Sequence, residues 1–299
     1  AVLYVALSLP HHYVNRVIVE GENFNIEFSK VDGFLCRYDV NGVSMIEKGS
    51  SLTPNFWRAG TDNDYGARLN LKYKVWKNPV MKLNNITSKV ENSMVYVDAE
   101  YQMPEVFSTL RLSYVINNEG AIQVTQKLLT DKGKKVPNMF RYGMRMRMPK
   151  EMYYSHFYGR GPVENYIDRN HNSFVGIYKM TTQEQFYPYI RPQENGCKTD
   201  IRWWNQTNKG GIGLNFVASK PFSMVALNYT IESLDDGDLK DQRHSGQVEP
   251  ADFIEVCIDY AQQGLGGENS WGSTCLPQYR LTYKDYEFTY QIKPLDTVY

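Results

Sequence analysis

The 299-residue sequence has no long apolar run, no excess of either charge and only four cysteines. Lysine plus arginine and aspartate plus glutamate both number 33, which leaves no global field to attract nucleic acid or an anionic membrane. Neither is expected as a partner. The opening "AVLYVALSLP" is too short to span a bilayer and lacks the basic stretch of a secretion signal. Cys36, Cys197, Cys257 and Cys275 are far apart and show no C-x-x-C spacing, which argues against zinc or a redox pair. The burial habit of free cysteine favours reduced thiols over disulfides, and such thiols are compatible with cytoplasm or periplasm. Also missing are a sustained 3.6-residue apolar stripe, a Pro/Gly/Ser linker, a low-complexity run and a fixed repeat. Helix is therefore expected to be minor, with "TTQEQF" good for a turn or two, and a single domain is favoured over two.

What is present is period-two alternation broken by turn residues, the mark of half-buried antiparallel strands. Phe24, Ile26 and Phe28 alternate; "FLCRYDV" then runs into Asn41-Gly42, a hairpin turn because both residues tolerate positive φ. Leu110, Leu112, Tyr114 and Ile116 lead into "NNEG" and Ile122, Val124, Gln126 and Leu128 lead out, which predicts a long hairpin. "MVYVDAEY", "RYGMRMRM" and "FIEVCIDY" continue the pattern, "GIGLNFVA" is expected to pair with "FSMVALNY", and "YRLTY" with "YEFTYQI". Twenty-three tyrosines suit pleated surfaces. More than a dozen short strands without helical crossovers predict an all-β architecture of stacked antiparallel sheets. The chain begins without Met and "AVLYVALSL" has strand character from its first residue, which fits a segment of a longer polypeptide. Residues 1–20 are expected to be a connector or strand from a preceding domain, and 21–299 the domain proper.

Between the hairpins lie four long irregular stretches: 53–70, 157–178, 189–206 and 262–275. Long loops in compact domains carry function or are held by their own packing. "DNDYG" and "DDGDLKD" are acidic and glycine-bearing, yet neither fits the 12-residue calcium loop ending in Glu; turn formation and capping explain them better. Glu164, Asp168, Glu194 and Glu268 are loop carboxylates of the type glycoside hydrolysis requires as a spaced pair. Each has Arg or Asn nearby in sequence, which favours a structural network. His156, His171 and His244 could serve ring-opening acid/base chemistry in a sugar epimerase, although structural histidines are favoured; His11 and His12 fall in the connector. Trp271, in "GGENSWGST", stands on a glycine-flanked loop with no alternating neighbours. Sugar C–H faces pack on indole while hydroxyls need polar partners such as Glu268, Asn269 and Ser270. A sugar platform and a plug against a neighbouring domain are both open.

In these loops the chain resembles the C-terminal, small-chain region of family 2 glycoside hydrolases of the β-galactosidase type. The resemblance is carried by "FWRAGTDNDYG" (56–66), "FYGRGPVENYIDR" (157–169), "YPYIRPQENGCKTDIRWW" (187–204), "DQRHSG" (241–246) and "GLGGENSWG" (264–272), in the family's order, and spans nearly everything from about residue 20. It implies an antiparallel β-supersandwich similar to galactose mutarotase. It also implies that the two catalytic glutamates and the magnesium site lie in an upstream catalytic barrel, so that no catalytic residue, metal ligand or cofactor is assigned to this segment. The implied partners are that barrel and a terminal β-D-galactoside, with room for a homo-oligomeric parent. In the family, one tryptophan of the last long loop packs on the substrate, and Trp271 stands at the matching position. Alternatives are a stand-alone mutarotase-like epimerase or a carbohydrate-binding module. Trp203, Trp204, Tyr187 and Tyr189 are candidate contacts with the barrel. The sequence departs from the family in having Gly60 after Ala59, where a proline is common, and at Glu268 or Asn269, where aspartate is common.

Overall fold

The computed structural model describes residues 4–5, 15–269 and 271–296. His11, His12, Ser270 and most of the expected opening strand lie outside the described residues. A small sheet holds β1 (Tyr4–Val5), β2 (Arg16–Glu20), β3 (Phe24–Ser29), β4 (Leu35–Val40) and β5 (Val43–Ser44) in that order. β2 belongs to the stretch read as a connector, and it pairs with β3 from Arg16 opposite Ser29 to Glu20 opposite Asn25. The turn between β4 and β5 has Asn41 at φ 50° and Gly42 at φ 77°, the left-handed pair its dipeptide predicts.

The large sheet begins with β6 (Thr53–Asn55), β7 (Lys82–Glu91), β8 (Met94–Met103), β9 (Ser108–Ile116) and β10 (Ile122–Thr130). It continues through β11 (Arg141–Pro149), β12 (Tyr154–Gly161), β13 (Phe174–Thr181), β14 (Lys198–Thr207), β15 (Gly213–Leu227), β16 (Phe253–Gln262) and β17 (Tyr286–Leu295). Helix is confined to short pieces: α1 (Asp62–Gly66), α2 (Leu69–Lys72), α3 (Thr182–Gln185), within the expected "TTQEQF", and α4 (Ile231–Leu234), with a few 3₁₀ turns. The main path runs β13-β12-β14-β15-β17-β10-β9-β8-β7, and every pairing is antiparallel. The all-β, curled supersandwich follows the alternation in the sequence.

Three local expectations fail. The stretch 189–206, read as irregular, is strand β14 from Lys198 onward, and 157–178 is strand at both ends. "GIGLNFVA" and "FSMVALNY" do not pair with each other, because they are the two ends of one strand, β15. Residues 213–218 of β15 pair with β17, whereas 223–227 pair with β16. Lys220-Pro221 bends the chain as it passes from one partner to the next. No left-handed residue is present there to reverse it, and the proline N, which cannot donate, falls between the two ladders. The sheet forks at this point, and β16, β11 and β6 form its second branch. "YRLTY" likewise forms no strand: Leu281 makes a single bridge with Met139. Asp285 Oδ1 instead accepts from Thr130 N at 2.8 Å and Thr130 Oγ1 at 2.7 Å, tying the start of β17 to the end of β10.

The core fills the space between the sheets. Leu110, Leu112, Ile116, Ile122, Val124 and Leu128 are all fully buried along β9 and β10, each stabilising the fold by about 1.5–3 kcal/mol. Phe28 of the small sheet meets Tyr114 with ring centroids 4.8 Å apart, and Tyr38 OH donates to Gly120 O at 2.6 Å. The small sheet is thereby locked onto the large one. All four cysteines are free; Cys197, Cys257 and Cys275 are buried and Cys36 is half-buried.

Candidate functional site

The irregular stretches singled out in the sequence meet at one end of the large sheet, and two buried arginines organise them. Arg58 is fully buried and grips Asp64 with both arms of its guanidinium, Nε to Oδ2 at 3.0 Å and Nη2 to Oδ1 at 2.8 Å. The same Asp64 accepts from Thr61 N at 3.0 Å and its own N–H donates to Thr61 Oγ1 at 3.2 Å, a capping box that opens α1. "DNDYG" is thus a helical turn with an ion pair. Gly60 leaves room for the Tyr65 ring, since a Cβ there would lie 2.9 Å from it. The remaining arms of Arg58 reach the last loop, Nη1 donating to Gln263 O at 2.5 Å and Nη2 to Gly264 O at 3.2 Å.

Arg141, at the start of β11, forms ion pairs with Glu194 at 2.8 Å and with Asp259 at 3.1 Å, all three sealed from solvent. Gln262 Nε2 adds a hydrogen bond to Glu194 Oε1 at 3.0 Å. Burial pushes the Asp259 carboxyl up to about 7, with Arg141 opposing the rise and Glu194 adding to it. Sequence reading missed Arg141 and Asp259. The bulge opposite Tyr142 and Gly143 lies on β16, where Tyr260 has no partner; Arg141 keeps the parity of the half-buried Arg145 and Arg147, opposite the buried Tyr142, Met144, Met146 and Met148, so strand parity marked it as outward-facing. Burial also pulls Lys198 down to about 8; its ammonium donates to Gly196 O at 3.0 Å.

Three of the four carboxylates read as candidate acids, Glu164, Asp168 and Glu194, are engaged. Glu164 accepts from Arg169 Nη2 at 2.7 Å, from Gly196 N at 2.8 Å and from the Tyr189 hydroxyl. Asp168 accepts from Leu265 N at 3.1 Å through Oδ1 and from Gly266 N at 2.9 Å through Oδ2. Asn165 is fully buried; its amide donates to Arg160 O and Val163 O and its oxygen accepts from Thr199 N and Thr199 Oγ1. Glu268 is exposed at the loop tip. Asp168 and Glu194 both border an open cleft of about 320 Å³, which Arg169, Tyr189, Asn63 and Gly266 also line.

The histidines do not converge. His156, on β12, packs edge-on against Trp203 at 5.0 Å and is held below the usual imidazole range by burial and by Lys179. His171 is exposed in the loop beyond the far end of that strand. Five residues of extended chain, roughly 17 Å, separate His156 from Gly161. His244 is exposed in a third segment. Of the candidate barrel contacts, Trp204 belongs to the core, fully buried and stacked on Phe157 at 4.5 Å. Successive residues of a strand point to opposite faces, so Trp203 takes the outer one and is half-buried; Tyr187 is exposed. Trp271 is 93% exposed at the tip of the last loop.

A family model described as "Beta galactosidase small chain" matches residues 20–292. The chain belongs to the beta-galactosidase small-chain family. Among curated proteins it is 31% identical over 280 residues to a beta-galactosidase of Priestia megaterium, covering 93% of this chain and 26% of that protein. It is 28% identical over 283 residues to one of Streptococcus thermophilus, covering 93% and 27%. The small-chain region thus spans about a quarter of the length of these relatives. Among solved structures, a galactose mutarotase related enzyme from Lactobacillus acidophilus superposes with a TM-score of 0.52 at 8% identity, covering 95% of this chain and 98% of that one. At that identity the likeness shows the fold alone, and that fold is the mutarotase-like supersandwich expected for the family.

Proposed function

We propose that this small-chain region is the C-terminal accessory part of a β-galactosidase, a retaining glycoside hydrolase of family 2 acting on terminal β-D-galactosides. In this reading it lends Trp271 to a pocket whose acid, nucleophile and magnesium belong to an upstream catalytic barrel. The supporting observation is a contrast within one loop cluster. Trp271 is 93% exposed at a loop tip, whereas of the four candidate acids Glu164, Asp168 and Glu194 are committed to partners within the chain and Glu268 alone is exposed. A carboxylate occupied by partners within the chain is not free to face a substrate, while a bare indole at a loop tip is a good stacking surface for a sugar ring.

The test pairs two preparations. In the full-length enzyme Trp271→Ala should weaken galactoside binding by about 1–3 kcal/mol, the usual cost of losing an aromatic contact. The isolated chain should show no turnover of a chromogenic galactoside. Unchanged kcat and KM in the variant would remove the platform role, and turnover by the isolated chain that one carboxylate change abolishes would overturn the accessory reading.

A further inference from the structure

Residues 263–269 and 271–275 form a stalk that carries Trp271, and both of its limbs are held by side chains from elsewhere. On the outgoing limb, Arg58 donates to the carbonyls of Gln263 and Gly264 at 2.5 and 3.2 Å, and Asn63 Nδ2 donates to Leu265 O at 3.3 Å. Asp168 faces the same limb and accepts from the amides of Leu265 and Gly266, one on each carboxylate oxygen, at 3.1 and 2.9 Å. On the return limb Arg280 donates through Nε to Cys275 O and through Nη2 to Thr274 Oγ1, both at 2.9 Å. The limbs touch: a Cβ on Gly267 would lie 2.4 Å from Ser273 O. Above that pinch, Trp271 N donates to Asn269 Oδ1 at 2.9 Å, which turns the tip and leaves the indole projecting.

Among these anchors Asp168 is singular. Arg58 is buried with Asp64 and serves the fold, and Arg280 holds the limb that leaves Trp271 behind. Asp168 comes from the hairpin loop between β12 and β13, 97 residues before Leu265, and contacts the stalk through two charge-assisted bonds. The fit is close, since a Cβ on Gly264 would lie 2.5 Å from Asp168 Oδ2. A carboxylate accepting from two consecutive amides fixes the direction of that backbone as well as its position.

We infer that Asp168 is a positioning residue for Trp271: it sets the height and bearing of the stalk, and through it the place where the indole meets the sugar. The inference rests on the platform reading of Trp271. Misplacing a positioned group by about 1 Å costs up to roughly a hundredfold in rate, so a loosened stalk registers in kinetics before it registers in stability.

The experiment is a double-mutant cycle in the full-length enzyme, with Asp168→Asn and Trp271→Ala made singly and together and assayed on a chromogenic galactoside. Asp168→Asn alone should lower kcat/KM roughly tenfold or more. In the Trp271→Ala background the same change should add less than about a twofold loss, because the group that it positions is gone. Gly264→Ala, which drives a methyl into the Asp168 carboxylate from the other side, should reproduce the single-variant loss. Hydrogen exchange gives an independent reading, and the amides of Leu265 and Gly266 should lose protection in Asp168→Asn. Equal losses in both backgrounds, or no loss in either, would overturn the positioning role. Unchanged exchange at the two amides would overturn the clamp itself. A null effect of Trp271→Ala alone would instead strike at the platform reading on which the inference rests.

Discussion

Arg141 Nε lies 3.1 Å from Asp259 Oδ2 with both side chains sealed from solvent, and Glu194 competes for the same guanidinium at 2.8 Å. Two carboxylates sharing one buried cation cannot both ionise without cost. The Asp259 contact is an ion pair without hydrogen-bond geometry, so Asp259 is the one that yields, at about 7. Its folded value lies above the unfolded carboxylate range near 4. Between about pH 4 and 7 the native state therefore binds more protons than the unfolded state, and stability falls as pH rises through that window. The loss amounts to as much as about 4 kcal/mol and is complete above pH 7. Asp259→Asn removes the dependence, so its melting temperature relative to wild type should be several degrees more favourable at pH 8 than at pH 5. A difference that stays flat between those values would refute the assignment of the titration to Asp259.

Arg58 presents the opposite case, a buried cation whose partner depends on it. Arg58→Ala would leave Asp64 enclosed without its counter-charge, a change that costs about 3–5 kcal/mol. It would also orphan the carbonyls of Gln263 and Gly264. Arg58→Lys keeps the charge but loses the fork that matches Asp64, and should fall between wild type and alanine. Urea unfolding of the isolated chain decides the point. A cost below about 1 kcal/mol for the alanine variant would mean that water reaches Asp64.

The contrast between strands and site explains which features were open to inspection in the sequence. β8, β9 and β10 follow local rules, with buried residues at every second position, so their alternation and the "NNEG" turn were enough to place them. β15 defeated the same rules because one strand serves two partners: the break at Lys220-Pro221 between its two apolar runs looks locally like a hairpin turn, and only the whole sheet shows the chain running on. The candidate site was legible as a set of loops and as an isolated Trp271, but its wiring was not. Arg58 reaches Gln263 across 205 positions and Asp168 reaches Leu265 across 97. No periodicity or motif spacing encodes such pairs. Arg141 was hidden for a further reason, since it has the parity of Arg145 and Arg147, opposite the buried methionines of its strand, yet is itself sealed from solvent.

Adjacent tryptophans give a direct test of that parity. Trp204 is fully buried against Phe157 and its indole N–H donates to Gln206 Oε1 at 2.9 Å. Trp204→Ala should cost about 3–5 kcal/mol, since it opens a cavity and takes one of two donors from the buried Gln206 Oε1, which keeps Ser155 Oγ at 2.7 Å. Trp203 lies on the outer face beside His156 and Tyr158, and Trp203→Ala should cost under about 1.5 kcal/mol in the isolated chain. Comparable losses at the two positions, by chemical denaturation, would show that the outer face is packed as tightly as the inner one.

Trp271 can be isolated spectroscopically because the other tryptophans are sheltered. Trp57, Trp76 and Trp204 have 4%, 0% and 0% of their surface exposed, Trp203 is half-buried, and Trp271 stands at 93%. Acrylamide should quench the isolated chain in two populations, and Trp271→Phe should remove most of the readily quenched, red-shifted one. Its indole adds little to the domain's own packing, so the substitution should leave unfolding free energy within about 0.5 kcal/mol of wild type. In the full-length enzyme the same component should become protected if the indole enters a pocket, and protected further by bound galactoside. Quenching of Trp271 that is identical in the isolated chain and in the full-length enzyme, with and without sugar, would place the indole in open solvent and remove the physical basis for a stacking role.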